Sequence, residues 1–208
     1  FKSRIPDSDI GFVPYLAVAF WPWTAFSESI LKSSGTISGN AALIGKVALA
    51  TEQLPLATVT ATFLMHMTGY VAVLIVLQLM GTDIHWLLIP AVVPVVLLLW
   101  VFASALSLLA SALQVFVKVT AQILPPLMTF WFFTTPILYS PSILPERVAQ
   151  IMAWNPMTWF VHQLREILLF GRVSYGWTGL LAVVSIILFT WLSLRFFRRF
   201  SGHFEDFL

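Results

Sequence analysis

The chain has 208 residues, of which 59% are hydrophobic and only 10% charged, with a formal charge of +2 at neutral pH. A soluble globular domain carries about 25% charged residues, so this chain has too little polar side-chain material to coat a water-facing surface, and lipid is the solvent left for the rest. The few charges leave no nucleic-acid footprint, and the absence of cysteine excludes disulfides, thiolate metal sites and cysteine nucleophiles.

A membrane-spanning helix needs about 20 mostly apolar residues and must satisfy its own backbone hydrogen bonds. Residues 1–11 are polar, open on Phe1 rather than methionine, and read as a cut inside a longer protein. A first span is expected over 12–30, aromatic-rich through PYLAVAFWPWTAF, interrupted by Pro22 and ending at Glu28 and Lys32. Residues 33–40 (SSGTISGN) form a small-residue turn. Residues 41–51 have helical character but are too few to span, which suits an interfacial or re-entrant helix.

A second span covers 54–80, with His66 near its middle, and a third covers 86–109 inside the charge-free stretch 84–117. The fourth covers 119–138, where Pro125 and Pro126 are expected to kink or break the first half. Residues 139–175 mix prolines, charges and aromatics in the manner of short half-embedded helices. A fifth span over 177–196 is stopped by Arg195, Arg198 and Arg199. The expected fold class is therefore all-α, a polytopic helical bundle with five visible spans in a single membrane domain over 1–208. If the Arg-rich tail is cytoplasmic, Lys46 and Lys118 are inside as well and 139–175 faces outward, although Arg147, Arg165 and Arg172 keep the charge bias modest.

Chemistry is sparse. Glu28, Glu52, Asp83, Glu146 and Glu166 are scattered over different segments, where an enzyme needs convergent groups. Asp7-Ser8-Asp9 has the form of a metal-holding DxD but lies in a polar terminus and reads as a solvated loop. His66, His85, His162 and His203 lack metal-ligand spacing, and no GxxxxGK[ST] loop for ATP occurs. His66 is the most central ionisable group; it reads first as a hydrogen-bond partner for a neighbouring helix and second as a functional group. Trp21, Trp23, Phe26, Phe130, Trp131, Phe132 and Phe133 form two aromatic clusters. Either they are an interfacial belt or core packing, or they line a path for a sugar chain, whose C–H faces slide over aromatic rings.

Three ordered stretches carry a family likeness. A Trp-rich span leads through a small-residue turn into N-x-x-L-I-x-K, at Asn40, Leu43, Ile44 and Lys46. An aromatic span ends in T-P-I-L-Y at Thr135 to Tyr139. Leu144-Pro145, Asn155-Pro156 and Arg165 follow before the last span. With them, over nearly its whole length, the chain resembles the permease subunit of ABC-2 type exporters that move lipid-linked polysaccharides such as O-antigen (lipopolysaccharide), capsule or teichoic acid. It departs from that pattern at Val117-Lys118, where related chains often carry Arg-Asp, and in showing five spans where the family has six, which implies a missing N-terminal span.

The resemblance implies a multi-pass permease of the cytoplasmic (inner) membrane that is not itself an enzyme. It would pair with itself as a homodimer and with two copies of a cytoplasmic ATPase, which would hold the ATP and Mg; the chain itself would carry no cofactor or metal. Residues 41–51, with Asn40, Leu43, Ile44 and Lys46, would be the coupling helix, docking in a groove of that ATPase or else lying on the membrane surface. Trp21, Trp23, Phe26, Phe130, Trp131, Phe133 and Tyr139 would line the substrate path. Pro136, Pro141, Pro145, Asn155, Pro156 and Arg165 would build an outer gate, with Arg165 and Glu166 either meeting an anionic sugar or, as is favoured, pairing with neighbours. The alternatives are an ABC-2 exporter of small lipids or drugs, a membrane enzyme acting on lipid-linked sugars, and a scaffold without a pore.

Overall fold

The computed structural model describes residues 10–44 and 50–208. All regular structure among them is helical: α1 (Phe12–Ser34), α2 (Thr36–Gly39), α3 (Ala41–Ile44), α4 (Gln53–Leu79), α5 (Ile89–Phe116), α6 (Thr120–Thr134), α7 (Glu146–Ala153), α8 (Pro156–Leu168) and α9 (Gly176–Ser201), with 3-10 turns at Trp86–Leu88, Pro141–Ile143 and Phe204–Asp206.

Among the described residues, three helical stretches are long and apolar enough to cross a membrane: Gln53–Leu79, Trp86–Phe116 and Gly176–Ser201. The other two expected spans differ for identifiable reasons. α1 has the length, at 23 residues, but its last third carries Ser27, Glu28, Ser29, Lys32, Ser33 and Ser34. α6 stops after 15 residues. Pro136 disfavours helical backbone at the residue before it, and Thr135 accordingly sits extended at φ −100°, ψ 134°. Pro125 and Pro126 do not break α6; the carbonyls they leave unpaired, on Ala121 and Gln122, belong to its exposed end. Residues 139–175 do fold into short helices, α7 and α8, the latter begun by Asn155 and Pro156.

α5 is the central helix. Half of its most apolar stretch is buried inside the chain, against 17% for α9, most of whose surface the rest of the chain leaves uncovered. α5 packs on α1 and α9, α1 packs on α4, and α8 is wedged between α1 and α5. Polar ties cross the bundle at both ends of α4. Tyr70 Oη donates to the Val18 carbonyl at 2.9 Å, and Arg198 near the end of α9 reaches Glu52 at 2.9 Å and 3.0 Å. The link before α5 is held down by His85, whose backbone N–H and ring Nδ1 both reach the Leu168 carbonyl, at 3.1 and 3.2 Å. Gly171, at φ +65°, lets the chain turn over that imidazole; a Cβ there would come within 2.5 Å of His85 Nε2.

Candidate functional site

The aromatic residues of the two sequence clusters meet, but they divide into two environments. Trp23 and Phe26 of α1 are buried and pack with half-buried Trp131 of α6. Their ring centroids lie 5.5–6.1 Å apart. Phe102 joins them from α5, 5.4 Å from Phe26, and leads on to Phe160 and Phe189 at 6.3 and 6.0 Å. Distances of this kind are those of favourable offset and edge-to-face pairs, and the group is the packed middle of the bundle. Phe132 bridges outward, edge-on to Phe20 at 6.0 Å. Phe130 and Phe133, by contrast, stand 67% and 58% exposed on the outer side of α6. Trp21 lies flat against α4, where Gly69 leaves it room, and its Nε1 donates to the His66 carbonyl at 2.9 Å.

His66 itself is tied to α1, because its Nε2 contacts the Glu28 carboxylate, which also receives Lys32 at 2.7 Å. The most central histidine of the sequence thus joins two helices within the chain. The carboxylate that holds it lies 38 residues away, and no local pattern pairs them.

The segment that follows α6 is organised by two side chains. When Pro136 ends α6, the carbonyls of Pro136 and Ile137 are left inside the bundle without helical partners, and buried carbonyls need donors. Arg165, only 4% exposed on α8, supplies them: Nη1 donates to Pro136 O and Nη2 to Ile137 O, each at 2.7 Å, while Nε donates to Tyr15 O at 3.2 Å. Its guanidinium also sits 3.5 Å from the centre of the Tyr15 ring, a desolvated cation–π contact. No carboxylate among the described residues pairs with it. The rigid fork of the guanidinium suits three carbonyls at once, where a lysine offers a point charge.

Asn155 does the same for the last turn of α6. Its Oδ1 accepts from Trp131 Nε1 at 2.9 Å and caps α8 through Met157 N–H at 3.0 Å; its Nδ2 donates to Thr135 Oγ1 at 2.9 Å and Thr134 O at 3.2 Å. Tyr139 Oη donates back to the Phe133 carbonyl at 2.9 Å, and partial burial pushes that phenol above its ordinary value. Pro141, Pro145 and Pro156 are exposed and set the starts of the short helices, whereas Pro136 is buried. The corner is therefore built as a latch: α8 grips the backbone of the α6 exit and the start of α1 together. Asn155 and Arg165 stand out in the sequence as motif residues, but the acceptors of Arg165 are all backbone atoms and carry no sequence signal.

Of the four residues expected on the coupling helix, Asn40 closes α2 by donating to Thr36 O at 2.8 Å. Ile44 packs beside Ile37, Leu108 and Phe197, and Leu43 lies within α3. Lys46 lies outside the described residues, as does Asp7-Ser8-Asp9. Among the described residues no cluster of His, Asp and Glu could hold a metal ion.

Comparison with known proteins adds the following. The model of a family described as ABC-2 type transporter matches residues 48–169. Two proteins of Klebsiella pneumoniae named O-antigen export system permease protein RfbA are 24% and 22% identical, aligned over the whole of this chain and 78% of their own length. A protein of the same name from Myxococcus xanthus is 27% identical over 99% of this chain and 78% of its own.

Proposed function

The chain belongs to the ABC-2 type transporter family, and from that membership we propose that it is the membrane permease of an ATP-driven exporter of lipid-linked polysaccharide. The observation that carries the reading is the likeness, over the whole of this chain and 78% of theirs, to permeases named for O-antigen export. On this reading the chain is a transport subunit of the inner membrane; ATP and Mg belong to a separate ATPase, two copies of which act on a homodimer of this chain. α1 and α6 join the three long apolar helices to make five spans in all.

The exposed stripe of α6 supports a path between two copies. Ile123, Leu127, Phe130 and Phe133 are all exposed there and recur at intervals of three and four along one side of the helix. With its extended exit at Thr135, α6 both crosses and lines a vestibule at its outer end. Phe130 and Phe133 are the members of the aromatic set placed to meet a passing sugar chain, with Trp21 and Tyr139 at its margins; Trp23, Phe26 and Trp131 support them from behind. The Asn155 and Arg165 latch, with Pro136, Pro141, Pro145 and Pro156, forms the outer gate, since non-helical backbone at membrane depth is stable only where protein or a water-lined cavity receives it. Asn40, Leu43, Ile44 and Lys46 belong to the segment that couples to the ATPase.

The test is reconstitution of the chain with a candidate P-loop ATPase, reading ATP hydrolysis with and without a glycolipid polymer. Association with the ATPase and stimulation by the polymer are expected. Failure to bind any such ATPase overturns the reading, and stimulation by small lipids or drugs alone moves the protein to the other branch of its family.

A further inference from the structure

Leu109 of α5 together with Phe189, Leu192 and Phe196 of α9 walls an almost wholly apolar groove of about 400 Å3, which ends at Arg195 and Arg199. Phe189, Leu192, Phe196 and Arg199 recur at intervals of three and four and so share one face of α9. From Phe189 to Arg199 the helix rises about 15 Å, half of the roughly 30 Å hydrocarbon core. Along α9 the groove thus runs about the thickness of one leaflet, with its cationic end towards the C-terminus of the helix. Trp191 stacks beside this charge, its ring centre 5.2 Å from the Arg195 guanidinium.

The charge at that end is available. Of the three arginines in this turn and a half, Arg198 is engaged by Glu52. Among the described residues no carboxylate lies within ion-pairing distance of Arg195 or Arg199, and both side chains are exposed. Beyond Arg199 a second hollow of about 400 Å3 adds His203 to the same rim. Arginines at a helix C-terminus complement the helix dipole whatever surrounds them, but that role requires no leaflet-deep apolar trough leading up to them.

We infer that this groove binds one anionic phospholipid of the leaflet that the C-terminal end of α9 faces. An acyl chain lies along Leu109, Phe189, Leu192 and Phe196, and the phosphate is held by Arg195 and Arg199. Basic pockets between membrane helices recognise anionic headgroups in this way, and the trough adds selection for a ligand that carries a tail. The site lies on α5 and α9, away from the α6 stripe, and does not depend on what the protein exports.

The experiment reads the thermal unfolding midpoint of the full chain in neutral detergent against added phosphatidylglycerol, phosphatidylcholine, a polyprenyl phosphate and inorganic phosphate. Phosphatidylglycerol should raise the midpoint saturably; phosphatidylcholine and inorganic phosphate should not. The double variant Arg195→Gln/Arg199→Gln should weaken the apparent affinity for phosphatidylglycerol roughly 30-fold, from two charges near a membrane surface. Leu109→Trp, which fills the trough and leaves the charges in place, should abolish the saturable effect, with Leu192→Trp as the equivalent from the opposite wall should the first misfold. Lys118→Gln, an interfacial cation elsewhere, should change nothing. Equal stabilisation by phosphatidylcholine, reproduction of the effect by inorganic phosphate, or preference for polyprenyl phosphate would each overturn the assignment. So would a loss confined to the arginine variant with the trough variants unaffected, which would reveal surface attraction without a groove.

Discussion

Replacing Arg165 by methionine keeps most of the side chain's apolar stem and removes every donor. Three carbonyls, those of Tyr15, Pro136 and Ile137, then lose the partner that sits 2.7–3.2 Å away. A buried acceptor left unpaired costs about 1–3 kcal/mol, so the sum is about 3–9 kcal/mol. The loss is offset because the variant no longer buries a cation, whose desolvation alone costs several kcal/mol. The net is therefore placed at the low end, about 3 kcal/mol, which for a chain of this size lowers the unfolding midpoint by about 6–12 °C. Arg165→Lys keeps the charge but cannot spread one ammonium over acceptors on two elements, and it should recover less than half of the shift. Intrinsic tryptophan fluorescence of the detergent-purified chain measures both. A midpoint for Arg165→Met within about 2 °C of the parent would refute the latch. A lysine variant equal to the parent would show that charge alone, not the fork, holds the corner.

Asn155→Asp should be nearly as destabilising as Asn155→Ala, by about 2–3 kcal/mol, since it keeps the helix cap but loses both donors to the α6 exit; a melt showing Asp equal to Asn would contradict this. Gly171→Ala should cost about 1–3 kcal/mol, from left-handed backbone and the clash with His85, and adding His85→Ala should return only the clash, measured by the same melts. In contrast, a double-mutant cycle on Glu52→Gln and Arg198→Gln should give a coupling below about 1 kcal/mol, because Arg198 is largely exposed and exposed pairs are weak. A larger coupling would place that end of the bundle out of water.

The helical elements were largely legible because their signals are local. Length and hydropathy mark Gln53–Leu79, Trp86–Phe116 and Gly176–Ser201 directly, and the prolines of 139–175 announce short helices, which α7 and α8 are. Sequence and structure part where two local rules compete. Apolar composition extends the fourth span to residue 138, whereas Pro136 ends the helix at Thr134; Pro125 and Pro126 are expected to kink or break it, and α6 runs through both without a break. Among the aromatic residues, composition could not separate Trp23 and Phe26, buried against α5, from Phe130 and Phe133, which face outward, because both sets have the same chemistry and differ only in which neighbour covers them.

By itself, then, the order of residues determined that this is a helical membrane protein and where most of its helices run, since both rest on hydropathy and proline geometry within a few turns, and its motifs resemble those of ABC-2 permeases. Tertiary structure alone decided what those motif residues do. Arg165 finds Tyr15 across 150 positions, and Glu28 finds His66 across 38; Arg165 serves only backbone carbonyls, which exist at every position alike. A partner that is a main-chain atom leaves no mark in the sequence, and only the packing of α8 against α1 and the α6 exit selects which carbonyls it will be.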